Sequence, residues 1–153
     1  VAMKKPPLPY SCTKGGFLME MEVYGELISA AVSARKKAYI PYSGFAVGAA
    51  VFTEEGNIYS GCNIENASYG ATVCAERTAI FKAVSEGETQ IKAIAVCGGP
   101  KTIGIEEYCM PCGICRQVLA EFGSKDTQII IAKSADDYKV FNIGDLLPNS
   151  FKL

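Results

Sequence analysis

Cys74-Ala75-Glu76 and, further along, Pro111-Cys112-Gly113-Ile114-Cys115 are the residues whose types and spacing could do chemistry. Together they offer three thiolates to one metal and set a carboxylate beside them. The chain contains no histidine. That excludes Ser-His and Cys-His nucleophilic machinery, a His-Glu-x-x-His zinc site and any imidazole general base, so acid/base chemistry near neutral pH falls to a carboxylate. Glu76 is the one so placed. Three sulfur ligands leave one corner of a tetrahedral zinc open to water, as in catalytic rather than structural sites. Zinc lowers the pKa of a bound water from about 15.7 to about 7–9, an effect that three electron-rich thiolates blunt. Arg77 could compensate by donating hydrogen bonds to a ligand sulfur, and Arg116, next to Cys115, could do likewise.

Sulfurs of this kind bind metal as thiolates, and the start of a helix favours the thiolate through its backbone N–H groups and positive dipole end. The pattern places both motifs there. Thr72 reads as the N-cap of a helix over residues 74–85 that Gly87 stops, and Pro111 opens a second over 112–122, closed by Gly123. Ahead of them, Val23, Leu27, Ala30, Ala31 and Ala34 recur at helical spacing from residue 21 to about 39, until Pro41-Tyr42-Ser43-Gly44 breaks the run. Residues 45–52 and 58–64 read as strands of a hairpin turning at Glu54-Glu55-Gly56-Asn57, with a polar loop over 65–72. Further strands are expected over 91–97, 128–132 and about 139–142. Strand, helix, strand across 91–132 implies a parallel crossover, and hairpins at either end make the sheet mixed. The expected fold class is α/β, three layers with helices on both faces of the sheet.

At 153 residues the chain fits one domain. Residues 1–20 read as a cloning remnant or a disordered extension, with Met19 or Met21 as the native start and a regulatory tail as the alternative; 21–153 is the single domain. Fifteen Lys and Arg against sixteen Asp and Glu give a net charge of −1, with no basic stripe interleaved with aromatics, which argues against nucleic acid as a partner. No apolar run reaches the roughly 18 residues of a membrane span, so a soluble protein is expected. Seven cysteines, an odd number set among apolar and metal-spaced segments, point to a reducing cytoplasm without disulfides.

At Phe45-Ala46-Val47-Gly48-Ala49-Ala50, Gly61-Cys62-Asn63-Ile64-Glu65-Asn66-Ala67-Ser68-Tyr69, Cys74-Ala75-Glu76-Arg77 and Pro111-Cys112-Gly113-Ile114-Cys115-Arg116-Gln117-Val118-Leu119 the chain resembles the small, homotetrameric cytidine deaminases of the three-cysteine zinc class. The resemblance runs from about Glu22 to the C-terminus in the family's order. It implies the five-stranded cytidine-deaminase-like fold and hydrolysis of cytidine and deoxycytidine to the uridines with release of ammonia, as in pyrimidine salvage. One zinc would be held by Cys74, Cys112 and Cys115, with Glu76 carrying the proton of the activated water to ring N3 and then assisting ammonia's departure. By the same matching Phe45 would stack on the pyrimidine, Asn63 and Glu65 would bind the ribose hydroxyls, and the backbone N–H of Ala75 would meet the base carbonyl. Tyr69 and Phe151 would reach a neighbouring subunit's site.

Cys109 departs from the family motif. It reads as a loop thiol near the site, but with Cys74, Cys112 and Cys115 it could instead close a four-cysteine zinc site in a non-enzymatic module, or hold an iron–sulfur cluster. Neither rival uses Glu76. A nearer rival is a deaminase of another aminopyrimidine nucleoside, such as blasticidin S, working by the same chemistry.

Overall fold

The computed structural model describes residues 21–153; the reading of residues 1–20 as an extension falls outside that range. Val23, Leu27, Ala31 and Ala34 return every three or four residues and therefore share one side of a helix, α1 (Met21–Arg35), which is buried. Strands β1 (Phe45–Thr53) and β2 (Ile58–Cys62) follow as an antiparallel hairpin whose turn needs Gly56 at a φ of 86°. Helix α2 (Ala75–Ser85) leads into β3 (Ile91–Pro100), and α3 (Gly113–Phe122) into β4 (Gln128–Ser134). The chain closes with β5 (Asp137–Asn142) and one helical turn, α4 (Ile143–Leu146).

The five strands lie in the order β2-β1-β3-β4-β5. Only β3 and β4 run parallel, joined through α3; the other neighbours are antiparallel, so the sheet is mixed as expected. Strand alternation divides the core in two. Ala49, Val51, Ile94, Val96, Ile129 and Ile131 pack with Ala79 and Ile80 of α2 and Leu119 of α3. Ala50, Phe52, Ala93, Ala95, Ile130 and Ala132 pack with Leu27 and Ile28 of α1. Helices thus cover both faces, and each fully buried Ile or Leu stabilises the fold by roughly 1.5–3 kcal/mol. The backbones of α1 and α2 lie directly on the sheet: a Cβ at Gly48 would fall 1.9 Å from the Ala31 carbonyl, and one at Gly61 2.6 Å from the Ala79 nitrogen.

Several boundaries differ from the sequence reading. Thr72 is not the N-cap of α2; it follows a single 3-10 turn (Tyr69–Ala71), its hydroxyl accepts from the Asn66 N–H, and Val73 bridges Ile64 before the cap forms at Cys74. Helix α1 stops at Arg35 instead of continuing toward 39, because three successive i→i−3 bonds tighten the chain and Tyr39 then pairs with Ile64. Strand β3 runs to Pro100, past the expected end at 97, because β1 pairs along its whole length from Thr53↔Ile91 to Phe45↔Pro100. Helix α4 escaped the sequence reading; Asn142 and Asp145 form a reciprocal capping box that makes so short a turn hold.

Candidate active site

Two helix starts meet on the sheet face covered by α2 and α3. Cys74 caps α2 with φ −69° and ψ 154°, and Cys112 caps α3 with φ −68° and ψ 166°. Both stand on extended backbone at the positive end of a helix dipole. Cys115 lies in the first turn of α3, fully buried, and its backbone N–H donates to Cys112 Sγ at 3.5 Å. The three Sγ atoms lie within 4.8 Å of one another, with Cys74 and Cys112 at 3.8 Å. A tetrahedral zinc with Zn–S bonds of about 2.3 Å separates its sulfurs by roughly 3.8 Å, so the donor set fits that ion in type and spacing.

Arg77 sits one helical turn after Cys74 and donates from Nη2 to its sulfur at 3.6 Å. Arg116 does not act likewise: one residue past Cys115, it is rotated about 100° around α3, and it donates to the carbonyls of Pro111 and Leu146 instead. The hydrogen bond from Cys115 chiefly, with Arg77 and Cys112 adding to it, pulls the Cys74 thiol down to about 5 despite its burial. The same bond to a charged Cys74 pushes the Cys115 thiol up, since a second negative charge is opposed there. A divalent cation among the sulfurs relieves that opposition.

Glu76 is 3% exposed. Burial pushes its carboxyl up to about 7, its own backbone N–H and Arg77 pull the other way, and the negative charge of Cys74 adds to the rise. A carboxyl so placed exchanges a proton near neutral pH. Beside it Ala75, also buried, opens α2.

Asn63 and Glu65 lie just beyond β2 and are drawn to the start of β1. Asn63 accepts from the Val47 N–H and donates to the Phe45 carbonyl, both at 2.9 Å. Glu65 accepts from the Ser43 hydroxyl at 2.6 Å and from the Ser43 N–H. Each still has hydrogen-bonding capacity to spare. Phe45, 40% exposed, opens β1 beside Asn63. Tyr69, 78% exposed, meets Tyr42 edge-to-face at 6.1 Å, and Phe151 is 67% exposed, so within one chain neither is covered.

Two contributors went unread in the sequence. Ser43 fixes the Glu65 carboxylate, and nothing in its local pattern marks it. Gly98 underlies the Phe45 ring, and the Gly98-Gly99 pair inside an apolar strand was the available signal of a close approach. Cys109, the fourth sulfur of the four-cysteine alternative, is not in the metal-spaced cluster; burial first, then the charges of Glu76, Cys97 and Cys74, push its thiol up to about 12.

The profile of the cytidine and deoxycytidylate deaminase zinc-binding region matches residues 21–131. The cytidine deaminase of Halalkalibacterium halodurans is 47% identical over 125 residues, 82% of this chain and 91% of that protein. That of Sporosarcina psychrophila is 46% identical over 82% of this chain and 89% of its own length. Among solved structures, the cytidine deaminase of Burkholderia pseudomallei superposes with a TM-score of 0.74 at 46% identity, covering 82% of this chain and 97% of its own. The Mycobacterium tuberculosis enzyme gives 0.72 at 38%, covering 85% and 98%.

Proposed function

We infer the reaction from the premise that the chain belongs to the cytidine and deoxycytidylate deaminase family. It is a zinc-dependent hydrolase that converts cytidine, and by the same chemistry deoxycytidine, to the uridine with release of ammonia. The observation that carries this reading is the convergence of three cysteine sulfurs at two helix starts with a buried carboxyl beside them.

Cys74, Cys112 and Cys115 hold one zinc per chain, which supplies the acidification of a water at neutral pH. Arg77, by its bond to Cys74, withdraws charge from the sulfurs and limits how far they blunt that acidification. Glu76 takes one proton of the water on a carboxylate oxygen and passes it to pyrimidine N3 as the water oxygen adds to C4. It then takes the second proton from the new C4 hydroxyl and gives it to the amine as the C4–N bond breaks, leaving the C4 carbonyl and ammonia. A carboxyl brought near neutrality by burial suits both directions of transfer. The Ala75 N–H meets the base carbonyl, and the Phe45 ring stacks on the pyrimidine. Asn63 and Glu65 take the ribose hydroxyls, their side chains already oriented by β1 and Ser43, so less freedom is lost on binding.

Four copies assemble, each closing a neighbour's pocket with Tyr69 and Phe151; the exposure of both rings in the single chain supports this. Among the described residues no helix is long and apolar enough to cross a membrane. Six free cysteines there favour the reducing cytoplasm, where the enzyme serves pyrimidine salvage. The deciding experiment follows ammonia release and loss of cytosine absorbance from cytidine, with metal analysis and with and without a chelator. Turnover that needs one zinc per chain is expected; a zinc-loaded protein inert on cytidine ends the reading. Light scattering of the parent and of Phe151→Ala tests the tetramer and the shared pocket.

A further inference from the structure

Gly98 lies on the face of β3 that looks toward α2 and α3, two residues beyond Val96. A Cβ there would fall 2.8 Å from Cys109 Sγ and 3.1 Å from Phe45 Cε1. The thiol and the aromatic ring therefore close side by side over one glycine. Cys109 is half-buried, packs on the main core and lies within the electrostatic reach of Glu76, the buried carboxyl of the site. It stands apart from the metal-spaced sulfurs, so its side chain is not one of the cluster's donors.

The inference rests on the deaminase reading. With Ala75 and Glu76, at the start of α2, meeting the carbonyl and N3 edge of the pyrimidine, the opposite C5–C6 edge turns away from α2. It then faces the chain that precedes α3, and Cys109 is the side chain standing there beside Phe45. We propose that Cys109 is a specificity-determining residue: above Gly98, its side-chain volume sets how large a substituent at pyrimidine C5 the pocket admits.

The test compares kcat/KM for 5-methylcytidine and cytidine in the zinc-loaded parent, Cys109→Ala and Cys109→Ile. The ratio of the two substrates should rise in Cys109→Ala. In Cys109→Ile it should fall by about 10-fold or more, the discrimination one methyl-sized difference produces in an apolar pocket. Metal analysis should give one zinc per chain in all three. An unchanged ratio overturns the proposal, as does zinc lost from Cys109→Ala, which would make Cys109 a ligand. If Cys109→Ile does not fold, the comparison with Cys109→Ala decides alone. A zinc-loaded parent without turnover on cytidine brings down the deaminase reading and the proposal with it, and is distinguished by failure on both substrates.

Discussion

Glu76 and Glu88 stand at opposite ends of α2, the same side chain in opposed surroundings. Glu76, in the first turn, is buried, finds a donor in its own backbone N–H and faces the charged Cys74, and its carboxyl rises to about 7. Glu88, just past the helix, accepts from the Thr53 hydroxyl and, at 2.7 Å each, from Asn57 Nδ2 and the Tyr59 hydroxyl. Burial pushes the Glu88 carboxyl up, but the bonds from Thr53, Tyr59 and Asn57 outweigh it and hold it below the ordinary range. What separates them is depth of burial as well as the number of donors: at Glu76 deep burial outweighs its donor, and at Glu88 three donors outweigh a shallower burial. One end of the helix keeps a carboxyl able to take and give a proton, at a cost in stability; the other knots the β1–β2 hairpin to the loop leading into β3.

That contrast can be broken experimentally, beginning where the effect is greatest. Cys112→Ala should lose the metal and with it all turnover, and should fold poorly, as metal analysis and circular dichroism would report; a variant that kept zinc would remove the basis for placing Glu76 at a metal-activated water. Glu76→Gln should retain one zinc per chain while turnover falls by at least about 10²- to 10⁴-fold. Its melting temperature should not drop, because a carboxyl that gains little from folding is removed. A drop comparable to that of a Glu88 variant would erase the distinction between the two ends.

Glu88→Ala should behave in the reverse manner. Thr53, Asn57 and Tyr59 lose their acceptor, so urea unfolding should show a loss of about 1–3 kcal/mol, with kcat near that of the parent. Smaller still is the pH effect. A carboxyl held below its unfolded value of about 4.3 contributes stability that is fully present above that pH and is lost as the pH falls through the folded value. The stability gap between parent and Glu88→Ala should therefore narrow as unfolding is measured from pH 7 down to pH 3. A constant gap would show that the knot does not depend on the ionised carboxylate.

The two ends also differ in how far they could be read. Cys74 and Glu76 were legible because residue type and spacing name a chemistry, and Arg77 because three positions along a helix return to the same side. Glu88 was not, since its partners come from a hairpin about thirty residues earlier and no local pattern joins them. Arg116 was misread for a related reason: adjacency in sequence to Cys115 turns it away from the sulfur, toward α4, an element whose only signal was a cap.

By itself the sequence determined the order of helices and strands as far as β5, the trio of sulfurs, and the carboxyl proposed to do what histidine does elsewhere. Those features follow from periodicity and residue chemistry, which act over a few neighbours. Tertiary structure decided that the two helix starts meet, that Cys109 stays out of the cluster and shares Gly98 with Phe45, and that Ser43 holds Glu65. Such distances are set by how layers pack and how aperiodic loops lie across them, and no repeat along the chain records that.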